Sequence, residues 1–476
     1  MSRISSYIIR EEQHYSFDQL KSILNFESDD QLKIFIDTLV GNRIMYQKDV
    51  NRKDELISSL KKDTYKMSYK LSFVGIIYFK EKIIYVYPKY FTVSTSEQTE
   101  NIISHMNLVM KVIKKYINSR TQNIDFFIDN EGSSNSLLSL YLFLLEDYVN
   151  NGVYQKVEEI AELNGRGDIL WQRTVDIIQP FIKNGRPYYT DVFTTRRDTE
   201  KENIIREIHE IILTKCSNEL RNLRLDTFFS IPYIEFTNKE FDDIGERDYI
   251  LKLVEDELSI TFDNKHQTLL KAIYQFVKNS NFKIGDKSIE LLGTTSFNLV
   301  WEKVCSQVFG NQKDKRLVDL NILKKLKSNY VGNIKLFDLI EKPFWTAAGK
   351  TASKSLEPDT IVISNNNFII LDAKYYTPQL EKNKPLKGQP GIESITKQYL
   401  YQLAYQNFIT ENNFDSVKNC FLFPTSDSSV KNFGEVKLDM LSNLGLNDID
   451  VRFLPTDKVY DCYLKNEELD ISFLDL

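Results

Sequence analysis

Residues 357–376 read Glu-Pro-Asp-Thr-Ile-Val-Ile-Ser-Asn-Asn-Asn-Phe-Ile-Ile-Leu-Asp-Ala-Lys-Tyr-Tyr. Two short apolar runs, Thr360–Ile363 and Phe368–Leu371, flank the polar corner Ser364–Asn367. Apolar, largely β-branched runs on either side of an Asn-rich corner predict a β-hairpin. Asp359 stands just before the first strand and Asp372 ends the second. Lys374 comes two residues later, so strand alternation puts it on the same face as Asp372. Asp359 can reach that face from across the hairpin. Two carboxylates and one ammonium group are therefore expected to converge.

Such a grouping suits a hard divalent cation. Mg²⁺ takes one or two carboxylates and fills its remaining positions with water and substrate phosphate. A lysine beside the ion can orient or deprotonate the attacking water and offset charge developing on phosphate. Pro358-Asp359 followed by Asp372-Ala373-Lys374 resembles the PD-(D/E)XK nuclease superfamily. The competing reading is a solvated hairpin whose charges cap its strand ends.

Helices are expected on both sides. Phe297, Val300, Trp301, Val304 and Val308 recur at helical spacing over Ser296–Phe309, with Glu302 beside Trp301. Nucleases of that superfamily often carry an acidic residue on the helix before the hairpin, and Glu302 matches it. An ordinary exposed glutamate is the alternative. Downstream, Ile395–Phe408 also reads as a helix. It carries Gln398 and Gln402 one turn apart, where they would touch DNA or a metal-bound water, or simply be solvated. Helix, hairpin and helix predict an α/β core, a mixed sheet covered on both faces.

At 476 residues, two or three domains are expected. A hydrophobic share of 42% and a charged share of 27% suit a globular protein. The net charge of −6 argues against a chain coated in nucleic acid, but leaves room for a local basic path. Lys313, Lys315, Arg316, Lys324, Lys325 and Lys327 form one basic stretch, and Lys350, Lys354, Lys382, Lys384 and Lys387 bracket the hairpin. Of these, Lys350 and Lys354 are the candidate DNA contacts. Cys216, Cys305, Cys420 and Cys462 form no CxxC pair and read as reduced thiols. No apolar signal core opens the chain, and Leu137–Leu145 is too short to span a bilayer. A cytoplasmic protein without membrane contact is expected.

Residues 1–91 read as a first module. Ser16 can cap a helix carrying Phe17, Leu20, Ile23 and Leu24, and Ser28 with Gln31 has the capping-box pattern before a second helix. The β-rich runs Tyr69–Phe79 and Ile83–Tyr87 follow. Helices followed by a hairpin suggest a winged-helix-like module. Lys33, Arg43, Lys48, Arg52 and Lys53 could contact phosphate, whereas Asp29, Asp30 and Asp37 would repel it. DNA contact and protein contact are both open. Ser94–Glu97 makes a polar joint into a mostly helical middle region, 92–295, with helices over Glu97–Ser119, Ser136–Val149 and Glu200–Leu220. Gly165-Arg166-Gly167 and Asn184-Gly185-Arg186 mark turns within it. The nuclease-like region is 296–476.

Ala348-Gly349-Lys350-Thr351 copies the end of a P-loop, but Phe344 stands where the first glycine belongs. Without a Gly-rich loop the backbone has no phosphate cradle there. His14, His105, His209 and His266 form no metal-ligand spacing.

Taken together, Phe73–Ile77, Tyr87–Tyr90, Asn164–Thr174, Phe297–Cys305 and the Pro358-Asp359…Asp372-Ala373-Lys374 core resemble the LlaJI family of restriction endonucleases. McrC-type nuclease subunits are its wider relatives. The resemblance implies a Mg²⁺-dependent endonuclease subunit of a bacterial restriction system, with Mn²⁺ as a possible substitute. It acts on double-stranded DNA beside a separate McrB-like GTPase of the AAA+ class. A homodimer on DNA is a further expectation. Carried over, Asp359 and Asp372 bind the metal, Lys374 serves the water and Glu302 assists, also as a metal ligand. A catalytically silent DNA-binding or scaffold subunit is the alternative.

Overall fold

A computed structural model describes residues 5–49, 67–92, 98–120, 137–199, 203–279, 289–320 and 333–476. Arg52, Lys53, the joint Ser94–Glu97 and Lys324, Lys325 and Lys327 lie outside those residues. The fold is mixed α/β, and its contacts divide it into two compact units. One comprises Met1–Ser136 with Gly285–Leu476, the other Leu137–Ile284. Residues 1–91 and 296–476, expected as separate regions, lie in one unit.

The physical link is a sheet. Ser5–Arg10, Lys82–Tyr87, Val74–Phe79 and Glu290–Thr294 pair in that order. Val74–Phe79 and Lys82–Tyr87 form a tight hairpin whose turn residues, Lys80 and Glu81, both have positive φ. Glu290–Thr294 then adds antiparallel to Val74–Phe79. Gly75 and Gly293 face each other in that pairing, and a Cβ on either would fall within 3 Å of the opposite backbone. Glycine at both positions lets the strands close.

The N-terminal helices form as expected. Ser16 caps Phe17–Ile23 with a complete capping box to Gln19, and Ser28 accepts from the Gln31 amide at the start of Asp29–Gly41. Both helices bury Leu20, Leu32, Phe35 and Leu39 against the small sheet His14–Ser16, Met67–Leu71, Met45–Asp49.

The five-stranded sheet of this unit runs Thr360–Ser364, Asn367–Ala373, Ser416–Thr425, Ile449–Pro455, Lys431–Val436. Its inner strands are parallel and nearly continuously apolar, as strands covered on both faces must be. Helix Ile392–Ala404 packs on Asn367–Ala373 and Ser416–Thr425, and helix Phe297–Val308 also packs on Asn367–Ala373.

In the other unit, Leu137–Asn151, Ile204–Asn222, Arg247–Ile260 and Asn264–Lys278 pack together. The strands Val157–Leu163 and Phe193–Thr199 pair antiparallel. Asn184-Gly185 turns the short exposed hairpin Phe181–Lys183/Arg186–Tyr188. Among the described residues no helix is long and apolar enough to cross a membrane. All four cysteines are buried and unbridged.

Candidate active site

Asn365 and Asn366 carry φ of 49° and 60°, so the predicted corner is a two-residue turn with both residues left-handed. That type I′ geometry matches the strand twist and fixes the register. Ser364 faces Asn367 and Thr360 faces Leu371. One step further out, Asp359 falls opposite Asp372. Its Oδ2 accepts the Ala373 amide at 3.0 Å.

The parallel neighbour holds the other strand end. The Lys374 amide donates to the Leu422 carbonyl at 2.9 Å, extending the ladder past Ala373. The Lys374 ammonium lies 2.6 Å from Asp372 Oδ2. Asp372 is only 3% exposed, so this pair is shielded from solvent. Asp359, Asp372 and Lys374 are thus brought together, on the face that alternation assigns them.

Burial raises the Asp359 carboxyl well above the usual carboxylate range, and the adjacent charge and hydrogen bond of Asp372 raise it further. Lys374 opposes both effects. Among the described residues no three carboxylate, imidazole or thiol groups form a cage for an ion. Two adjacent hard carboxylates, of which Asp359 lines an open cleft, nevertheless fit Mg²⁺, which takes its remaining ligands from water and phosphate. Asp359 and Asp372 are the residues that would hold it.

Glu302 arrives on helix Phe297–Val308. Its neighbour Trp301 is fully buried and donates Nε1 to the Leu422 carbonyl at 3.0 Å. One carbonyl therefore accepts both from the helix that carries Glu302 and from the backbone of Lys374. Half-buried Glu302 lines an open cleft of about 560 Å³ together with Asp359, Lys303, Asn311, Lys313 and Tyr116.

Asn311 is a site residue that no spacing signalled. Its Nδ2 donates to the Asp359 carbonyl at 3.1 Å and to Ser306 Oγ at 2.9 Å. Its Oδ1 accepts the amides of Ile361 at 3.0 Å and Lys313 at 3.1 Å. Gln312 continues along the same strand, exchanging backbone and side-chain bonds with Ile361 and Ile363. The segment after the Glu302 helix thereby covers the open edge of Thr360–Ser364 and fixes the backbone of Asp359.

The expectation for Gln398 and Gln402 is corrected. Both are buried, at 0% and 2% exposure. Gln398 donates to the Ile370 carbonyl at 3.0 Å. Gln402 donates to Asn447 Oδ1 and accepts from Asn419 Nδ2 and the Asn447 amide. The Gln402 amide and the Gln398 Nε2 are thus used inside the fold, tying helix Ile392–Ala404 to the sheet, while Gln398 Oε1 is buried without a hydrogen-bond partner. Lys350 and Lys354 are exposed. Lys350 belongs to a two-strand hairpin, Phe344–Trp345 with Lys350–Thr351, in which Gly349 takes φ 59° to close the turn. The segment that mimics a P-loop is this turn, and no helix begins there.

The sequence profile of the LlaJI restriction endonucleases matches residues 73–457. The chain is 28% identical over 412 residues to the Type II restriction enzyme BsuMI component YdjA of Bacillus subtilis (strain 168), covering 83% of this chain and 81% of that protein. Two solved assemblies from Thermococcus gammatolerans are loosely similar. One is a half-complex of McrB AAA+ hexamers with bound McrC, with a TM-score of 0.36 and 11% identity over 97% of this chain and all (100%) of that one. The other is the McrBC complex, with a TM-score of 0.23 and 12% identity over 63% of this chain and 85% of that one. Likenesses this loose bear on neither fold nor function.

Proposed function

This chain belongs to the LlaJI restriction endonuclease family, and from that membership we propose that it is the subunit of a restriction system that hydrolyses DNA phosphodiester bonds. The observation that carries the reading is the convergence of Asp359, Asp372 and Lys374 at one strand end, where Asp359 also lines a cleft. Mixed strands flanked by helices around that point support a PD-(D/E)XK core. In this reading Asp359 and Asp372 hold Mg²⁺, or Mn²⁺ in its place. The ion, when bound, polarises the phosphoryl oxygen and makes its water more acidic. Lys374, already against Asp372, orients the attacking water and offsets charge on the phosphate. Glu302 approaches from the cleft wall and assists.

The Bacillus relative is a component of a Type II restriction enzyme, which supports a subunit role here. We assign nucleotide hydrolysis to a separate McrB-like GTPase of the AAA+ class, since the P-loop-like segment here is a hairpin turn. One carboxylate centre per chain cuts one strand, so double-strand cleavage calls for two copies on DNA. The capped helices and strands of residues 5–92 form the winged-helix-like part, and the whole acts in the cytoplasm.

The test is plasmid relaxation by the purified chain with Mg²⁺ or Mn²⁺ against EDTA. It is run alone and with the co-purifying NTPase under GTP, ATP or a non-hydrolysable analogue. Metal-dependent nicking, stimulated toward double-strand cleavage by the partner and nucleotide, is expected. No cleavage in any arm would leave the silent scaffold as the reading.

A further inference from the structure

We propose that the hairpin Phe344–Trp345/Lys350–Thr351 is a DNA-gripping ribbon, set against duplex DNA beside the phosphate being cut. The proposal rests on the DNA-cutting reading above and deepens it. Every residue from Glu341 to Thr351 is exposed. Phe344 and Trp345 expose 61% and 66% of their surface, a large exposure for two such apolar side chains. They are neighbours on one strand, so their rings leave on opposite faces. A hairpin that merely covered its own unit would bury one of those faces.

The hairpin is also built to hold its shape. Trp345 pairs with Lys350 and Phe344 with Thr351. The Ala348 amide donates to the Trp345 carbonyl at 3.1 Å, and Gly349 supplies the left-handed residue of the turn. At its base the Ala352 amide donates to the Pro343 carbonyl at 2.8 Å, and the Ser355 hydroxyl donates to the Glu341 carbonyl. Exposed rings on a closed ribbon lose little further freedom when they meet a partner.

Charge and position select the partner. Between Glu341 and Lys354 three lysines stand against one glutamate, in a chain whose net charge is −6. Aromatic rings beside lysines suit a polyanion with apolar base surfaces. Ser355 at the ribbon's foot is four residues before Asp359, a span of at most about 14 Å. A phosphate delivered to Asp359 therefore brings its flanking duplex over the ribbon. The major groove of B-DNA admits a two-stranded ribbon of this kind. In that groove one ring meets base edges and thymine methyls, the other, on the opposite face, lies against the groove wall, and Lys350 meets phosphate.

The experiment measures binding of a labelled short duplex by fluorescence anisotropy, in EDTA to prevent cutting, across a salt series. It uses the full chain, alone and with its companion subunit. F344S/W345S should weaken binding about tenfold or more. The Tyr/Tyr double variant should restore it, and the melting temperature of both should match wild type. K350Q should lower the salt slope by about one. Wild-type affinity in F344S/W345S would overturn the ribbon proposal and leave the nuclease reading standing. Loss of the companion subunit with duplex affinity unchanged would overturn it in favour of a protein contact. Absence of duplex binding by the wild-type chain in every arm would overturn the DNA reading itself, and the ribbon with it.

Discussion

The Tyr375 hydroxyl donates to the Glu11 carboxylate, tying the residue that follows Lys374 to the residue that follows the first strand. Both side chains are buried, each 6% exposed. The Lys89 amide donates to Glu11 Oε2 at 3.1 Å, and the Lys89 ammonium lies 4.5 Å over the Tyr375 ring. Tyr375 also packs against Phe297, at the start of the Glu302 helix. The N-terminal strands are thus part of the wall behind the lysine.

Deletion of residues 1–91 should therefore unfold this unit. It would leave Tyr375 without its acceptor and strip Glu290–Thr294 of its partner strand. Loss of cooperative melting by circular dichroism, with rapid proteolysis, is the expected outcome. A truncated chain that melts cooperatively and still nicks DNA would show that the two parts are independent.

Glu11 makes stability depend on pH. Burial raises its carboxyl from 4.5 to about 7, against the opposing effects of Tyr375 and Lys89. In that window the folded chain holds a proton that the unfolded chain has released. This contribution to stability is present below pH 4.5 and is lost as pH rises to about 7. Its full size is about 3 kcal/mol. Glu11→Gln keeps an acceptor for Tyr375 without the charge, so urea unfolding should show a smaller fall in stability across the window than wild type. Parallel pH profiles for the two proteins would place the titration elsewhere.

Asn311→Ala removes four hydrogen bonds around the Asp359 backbone. Leaving those groups unpaired should cost about 1–3 kcal/mol. Displacement of Asp359 should slow cleavage about a hundredfold. The activity loss should exceed what the unfolded fraction explains, and Mg²⁺ should be needed at higher concentration. Unchanged kinetics in the folded variant would reduce Asn311 to a stabilising residue.

Gln402→Ala separates a core role from a DNA role. The variant should lose about 1–3 kcal/mol of stability, because Asn419 and the Asn447 amide lose their shared acceptor. Duplex affinity of the folded variant should match wild type. Weakened affinity at unchanged stability would return Gln402 to the DNA surface.

The readable and unreadable parts differ in the range of the forces that set them. The Asp359–Lys374 hairpin was legible because turn chemistry, β-branched runs and side-chain alternation all act within about twenty residues. The Glu302 helix was legible from its periodic apolar face. Gln398 and Gln402 were misread because a polar pair one turn apart looks solvated unless Asn419 and Asn447 arrive from elsewhere to satisfy it. Glu290–Thr294 is paired by a strand some two hundred residues away, which no local pattern announces. Asn311 is likewise ordinary in sequence and becomes informative only when the edge strand beside it is known.

The central claim is that Asp359, Asp372 and Lys374 form a hydrolytic centre. Its most direct test is the metal-dependent nicking rate of Asp372→Ala and Lys374→Ala beside wild type, with circular dichroism and melting recorded on the same preparations. Each variant should fold and lose activity by on the order of a thousandfold or more, the size expected when a metal ligand or the group serving the water is removed. A folded variant of either kind that cuts at the wild-type rate would contradict the assignment.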